Sequence, residues 1–319
     1  MTSATVLKTV ASPREASNGV GEGEARAAQS AVLRAVYTRA DAFDRFGQTI
    51  LWPPEVKILV RYHDDFVDKR VLDVGVGAGR TTNFLADLAA EYTGIDYSES
   101  MVRAATKRFP HLRIEQQNIC DLSAFADASF DCVFAPSAIL DALSHSDRLV
   151  ALAEIHRVLA SNGLFAFSGH NLAAPRSPAH PSLEFSKDPV LLARYVLRWS
   201  VEIAHWLKYR RFELRTTDYA ILNDAAFEWR ALHYYCTREA QIRQLESAGF
   251  RVVDCLSMDG LPNEPGRVTG HDYKLHYVCR AINPRMEPLR QETRRRHDRR
   301  AQDRRGQERR LAQRASRGV

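Results

Sequence analysis

Three glycines at alternate positions follow a short apolar run, in the stretch Val71-Leu72-Asp73-Val74-Gly75-Val76-Gly77-Ala78-Gly79-Arg80. Glycine is needed where a backbone turns with positive φ, or where a ligand lies against the main chain. A helix that begins after such a bend aims its N–H groups and the positive end of its dipole at that ligand. Seventeen residues beyond Gly79, a second apolar run, Tyr92 to Asp96, ends in a carboxylate. A carboxylate there can accept hydrogen bonds from both hydroxyls of a ribose. Glycine bend and ribose acid together predict an adenosine-containing ligand. A dinucleotide fingerprint, G-x-G-x-x-G, would place its last glycine at position 80, which is Arg80. A dinucleotide also brings a pyrophosphate, which Asp73 would repel. A ligand with a free ammonium is instead attracted by Asp73. S-adenosylmethionine carries that ammonium, a sulfonium and a ribose, so the acid ahead of the glycines favours it over a nicotinamide dinucleotide.

The elements around these residues follow from periodicity and punctuation. Arg70–Val74 reads as a buried strand running into the glycines, and Thr81–Ala90 as a short helix. Tyr92–Asp96 is a second strand. Ser98 caps a helix that runs to Arg108 and stops at Pro110. Leu112–Gln116 and Phe130–Phe134 are the third and fourth strands. A helix over Asp147–Leu159 is ended by Asn162-Gly163, and Leu164–Phe167 is the fifth strand. This alternation predicts an α/β fold with a doubly wound, mostly parallel sheet. The rhythm breaks over residues 172–236, with a loop carrying Pro175, Pro178 and Pro181, a helix from about Pro189 to Arg211, and strand-like stretches at 215–222 and 227–235. It resumes with a helix capped by Thr237 and ended by Gly249. The last two strands, 250–256 and 275–281, are expected to form an antiparallel hairpin at one edge.

On the residues Asp73, Gly75, Gly77, Gly79 and Asp96, the chain resembles the class I S-adenosylmethionine-dependent methyltransferases. The resemblance covers residues 55–170 well and 237–282 in outline. It implies a seven-stranded Rossmann-like sheet with an inserted substrate-cover subdomain after the fifth strand. It also implies that Asp73 and the three glycines wrap the methionine part, that Asp96 binds the ribose, and that Tyr97 and Met101 flank the adenine. Asn118 and Ile119 stand where the family often has Asp-hydrophobic, and Asn118 can still accept from the adenine amino group. Ala135, at the end of the fourth strand, would lie beside the sulfonium. Base- and glutamine-methylating members carry N/D-P-P-Y/F after that strand. This chain has Ala135-Pro136-Ser137-Ala138, so a small-molecule acceptor is expected, methylated on N or O under the aromatic-rich 172–236 insertion. Methyl transfer from a sulfonium needs alignment above all, and a base only where the acceptor carries a proton. His170, His233 and Tyr234 are the candidates for that base or for positioning, with Tyr235 beside them. The residue types do not choose among them.

Composition bounds the rest. The 319 residues are 45% apolar and 26% charged, ordinary for a globular chain able to bury a core. Five scattered cysteines without a C-x-x-C pair argue against a zinc or disulfide framework and for a reducing, cytoplasmic setting. No metal is expected, and no run is long and apolar enough to span a membrane. From Pro284 onward, thirteen Arg stand against five Asp and Glu, a balance of +8 that leaves residues 1–283 at −2. Residues 1–25 are expected to be disordered, 26–283 to form the methyltransferase domain, and 284–319 to be an Arg-rich tail. The tail repeats an acid-Arg-Arg unit every five residues, which on a helix advances about 140° net per unit and spirals rather than forming one stripe. It also lacks interleaved aromatics for base stacking. A solvated appendage is therefore favoured. The alternative is a methyltransferase-like binding module that contacts RNA or a partner through this tail. Oligomeric state is not legible.

Overall fold

The computed structural model describes residues 50–174, 180–266 and 268–282. The N-terminal segment expected to be disordered and the Arg-rich tail lie outside the described residues.

Strand β1 (Arg70–Val74) lies between β2 (Glu91–Asp96) and β4 (Phe130–Ala135), parallel to both. β3 (Arg113–Gln116) pairs parallel with β2, and β5 (Leu159–Asn171) parallel with β4. β10 (Lys274–Ala281) runs antiparallel to β5 and carries β9 (Phe250–Leu256) on its outer side. The path β3-β2-β1-β4-β5-β10-β9 runs through seven strands of the sheet, with the expected hairpin at its edge.

Both faces are covered, which is why the central strands are apolar on both sides. Leu72 and Val74 pack with Phe165 and Phe167 against Leu152, Ile155 and Val158 of α4 (His145–Val158). Val71, Phe134 and Ala166 leave the opposite face and meet Ile58 and Leu59 of α1 (Pro53–Arg61) and Phe66. Truncating a fully buried member such as Leu72 or Ile155 to Ala costs about 2–5 kcal/mol.

The short helix α2 (Thr82–Ala86) follows the glycine bend, and α3 (Glu99–Arg108) follows β2 with Ser98 at its N-cap. Gly79, at φ 87°, is needed for packing: a Cβ there would come within 2.3 Å of the Phe109 ring at the end of α3. The Asn162-Gly163 pair does not end a helix. α4 stops at Val158, and Asn162, at φ 66°, kinks β5 near a shift in its register with β4.

The 172–236 insertion enlarges the sheet. Its helix α5 (Pro189–Tyr209) is capped by Asp188 and buries none of its residues fully. Its strands β6 (Leu214–Arg215), β7 (Tyr219–Asn223) and β8 (Leu232–Cys236) pair antiparallel with one another. β8 then pairs parallel with the end of β5, His170 opposite Tyr235 and Asn171 opposite Cys236. Among the described residues the result is ten strands in one sheet rather than seven with a separate cover. Phe212, Tyr219, Trp229, Tyr234 and Tyr235 are buried, whereas Tyr195, Trp199, Trp206 and Tyr209 on α5 are half-buried. Helix α6 (Arg238–Ser247), with Thr237 accepting from the Ala240 N–H, returns the chain to β9. No described helix is long and apolar enough to cross a membrane.

Candidate active site

The glycine bend is built by hydrogen bonds from its own backbone. Gly75, at φ 69°, donates to the Ile95 carbonyl at 2.8 Å, and Val76 donates to the same oxygen at 3.0 Å. Gly77 donates to Asp96 Oδ2 at 2.9 Å, while Ser98 N donates to Asp96 Oδ1 at 2.8 Å. Asp96 thus fixes the bend and the start of α3 at once. Burial pushes its carboxyl up, against the backbone N–H groups that favour the charged form. The Tyr97 N–H adds a third backbone donor to this carboxylate. A Cβ on Gly75 would stand 2.5 Å from Ile139 Cδ1, so the bend and the turn after β4 close to van der Waals contact only because residue 75 is glycine.

Between them lies a cavity of about 410 Å³, within the range of small-molecule sites. Of the ten residues expected to hold a cofactor, Gly75, Gly77, Asp96, Tyr97, Met101, Asn118 and Ile119 line it. Asp73, Gly79 and Ala135 are not on its wall. Gly79 turns toward Phe109, and Ala135 is fully buried in the sheet. Asp73 alternates onto the face opposite Leu72 and Val74, where it is fully buried. Its Oδ2 accepts from Tyr92 at 2.9 Å and Thr81 at 3.1 Å, and its Oδ1 has no partner. Burial raises its pKa to about 7, against the lowering from those two hydroxyls. Asn118 reaches the wall, but its Oδ1 already accepts from Cys120 N at 3.0 Å, an Asx turn that uses the oxygen expected to face the adenine.

Arg80, Ser137, Ile139 and Leu143 also line the wall, and no local motif marks them. Arg80 is held by Glu55 of α1 through two hydrogen bonds of 2.6 and 2.7 Å and reaches Ser137 Oγ at 2.9 Å. Glu55 is fully buried, so this bidentate pair pins the first turn of α1 over the glycine bend. Ser137 and Ala138 both take left-handed φ, 64° and 57°, which no local residue preference announces.

The turn that brings Ile139 and Leu143 to the cavity also carries Asp141. Asp141 Oδ1 accepts from Arg148 at 2.8 Å, and its Oδ2 accepts from His170 Nδ1 at 2.8 Å and from the His170 N–H at 2.6 Å. Burial alone would raise this carboxyl, but His170 and Arg148 outweigh it and hold it below the usual carboxylate range. A carboxylate only accepts, so Nδ1 of His170 carries the proton and Nε2 keeps a lone pair in the neutral ring. Burial lowers the His170 pKa against the pull of Asp141. His233 makes a parallel pair: its Nδ1 lies 2.7 Å from Asp224 Oδ2, which also accepts from Tyr235 at 2.9 Å. Here the Asp224 charge overcomes burial and raises the His233 pKa. The two imidazoles lie 5.3 Å apart, centre to centre.

Tyr234 does not join them. Strand alternation puts it on the opposite face of β8, fully buried, with its hydroxyl on His145 Nδ1 at 3.0 Å and accepting from Gln244 at 2.7 Å. The residue with the expected position is Tyr235, whose ring centre is 4.9 Å from that of His170.

A methyltransferase-domain family model matches residues 71–163 of this chain. A protein of Geobacillus sp. (strain WCH70) that carries a methyltransferase name is 28% identical over 61% of this chain and 80% of its own length. One of Mycolicibacterium smegmatis, named for S-adenosylmethionine-dependent methyl transfer, is 32% identical over 32% of this chain and 38% of its own. Among solved structures, the 1,6-didemethyltoxoflavin-N1-methyltransferase of Burkholderia thailandensis, crystallised with its acceptor and S-adenosylhomocysteine, shares the fold. Its TM-score is 0.52 at 17% identity, covering 88% of this chain and 95% of that one.

Proposed function

We propose that this chain, which belongs to the class I S-adenosylmethionine-dependent methyltransferases, methylates an oxygen or nitrogen of a small molecule. The observation that carries the acceptor reading is the pair of carboxylate-anchored imidazoles beside the turn that walls the cavity. A base positioned there has work to do only for an acceptor that arrives protonated. The Ala135-Pro136-Ser137-Ala138 segment, without the N/D-P-P-Y/F pattern, supports the same reading.

The residues present fit S-adenosylmethionine. Gly75 and Gly77 offer bare backbone, Asp96 brings its carboxylate to the wall where a ribose would lie, and Met101 and Ile119 give apolar walls for an adenine. Asp73 stands behind the bend, off the cavity wall, and its Oδ1 has no partner. When bound, this cofactor supplies a methyl carbon on a sulfonium, open to in-line attack and leaving a neutral thioether. The chain's own residues align and dry the site. Arg80 and Glu55 hold α1 across the bend, Ile139 closes the far wall, and His170 Nε2 is the proton acceptor, oriented by Asp141. His233, whose hold on a proton Asp224 strengthens, stands beside it to meet negative charge developing on the acceptor.

The reading is tested by incubating the protein with methyl-tritiated S-adenosylmethionine and a small-molecule extract, then separating products by size. Label is expected in a low-mass product that separates from S-adenosylmethionine by reversed-phase chromatography, and little of it with His170→Ala. Label confined to protein or nucleic acid would refute the small-molecule assignment.

A further inference from the structure

The strand pairing that closes the sheet brings together groups the cofactor reading leaves unused. Lys274 pairs with His170 across β10 and β5, and His276 pairs with Ser168. Two residues apart, Lys274 and His276 leave the sheet on one face, and both feel the charge of Arg80. Lys274 is 9% exposed, and its ammonium lies 5.0 Å from the centre of the Trp52 ring, which also has the Arg80 guanidinium at 5.3 Å. His276 is 2% exposed, and neither of its ring nitrogens has a hydrogen-bond partner. Buried polar groups are normally satisfied, so an orphaned imidazole next to a buried ammonium marks a place where a polar ligand belongs.

The nearby carboxylates are already committed. Glu55 holds Arg80, Asp141 holds Arg148 and His170, and Asp224 holds His233 and Tyr235. Each acid already has a partner of its own, and among the described residues no salt bridge includes Lys274. One positive charge is left over, out of water and without a contacting anion, and burial accordingly depresses its pKa.

We infer that Lys274 and His276, under Trp52, form the binding point for a carboxylate on the methyl acceptor. The inference rests on the small-molecule reading above and narrows it to acidic acceptors. A carboxylate held by Lys274 places the remainder of that acceptor beside His170, its partner across the strands. S-adenosylmethionine has a carboxylate of its own, but Lys274 is not on the wall of the 410 Å³ cavity, whereas Arg80 is.

Benzoate and benzamide, alike in shape and different in charge, separate the cases by calorimetry on protein saturated with S-adenosylhomocysteine. Benzoate is expected to bind the wild type at least tenfold more tightly than benzamide does. Lys274→Met should lose that preference, Lys274→Arg should keep it, and affinity for S-adenosylhomocysteine should stay within twofold in both. Equal binding of the two probes to the wild type, or a preference that survives Lys274→Met, overturns the inference. A tenfold loss of S-adenosylhomocysteine affinity in Lys274→Met gives the ammonium to the cofactor's carboxylate and overturns it as well. The probe comparison on the wild type needs no variant to fold. Wild-type protein that fails to bind S-adenosylhomocysteine strikes the methyltransferase reading, whereas intact cofactor binding with no benzoate preference strikes this inference alone.

Discussion

Replacing Asp141 by Asn keeps the shape of the side chain and removes its charge, at the point where the cavity wall and the histidine pair meet. The wild-type carboxylate accepts from Arg148 Nη1, His170 Nδ1 and the His170 N–H. An amide has one acceptor oxygen and a donor NH2, so at least one of those donors must face another donor. Arg148 is fully buried, and its other side-chain contacts, Gln241 and the face of the Tyr234 ring, are neutral. Breaking a buried ion pair by removing one member costs about 3–5 kcal/mol, because the remaining charge is left uncompensated. Asp141→Asn is therefore expected to lower unfolding stability by about that amount, read from the urea midpoint at unchanged slope. The same variant removes the influence that raises the His170 pKa. NMR titration of the His170 ring should show its midpoint moving further down from an already lowered value. A stability loss under 1 kcal/mol with an unmoved His170 titration would refute the view that Asp141 is the hinge of the site.

Two further outcomes follow from the same geometry. Asp73 has its folded-state pKa raised from 3.8 to about 7, so the native state holds a proton that the unfolded chain releases, and stability falls as pH rises between those values. Asp73→Asn should flatten this dependence in the protein without cofactor. Melting curves at pH 5 and pH 8 check it, and an unchanged slope in the variant counts against the buried acid. Tyr234→Phe removes a hydroxyl that touches His145 and Gln244 on the far face of β8. It should cost about 1 kcal/mol of stability and leave S-adenosylhomocysteine affinity unchanged by calorimetry. A tenfold change in affinity would return Tyr234 to the site.

What the sequence made legible is what is local. The bend from Gly75 to Gly79 and the acid at the end of β2 are contiguous or one crossover apart, so glycine placement and strand punctuation suffice to find them. The same locality misled at Asn118, whose short side chain satisfies its own turn. Tyr234 and Tyr235 could not be told apart, because the face each one takes depends on the register between β8 and the last residues of β5. Glu55, Lys274 and His276 gave no signal. They reach Arg80 and His170 only through the packing of α1 and the antiparallel return of β10, contacts between residues far apart in the chain. The insertion was found by its break in rhythm. That its strands would join the sheet depended on two residue pairs at a strand end, beyond the reach of periodicity.

The account turns on Asp96 joining the glycine bend to the cofactor, and calorimetry with S-adenosylhomocysteine tests that directly. The wild type should bind, and Asp96→Ala, which also strips the Gly77 and Ser98 N–H groups of their acceptor, should bind at least tenfold more weakly, a loss of about 1.4 kcal/mol or more. Equal affinity in the two proteins, or no binding by the wild type, would contradict it.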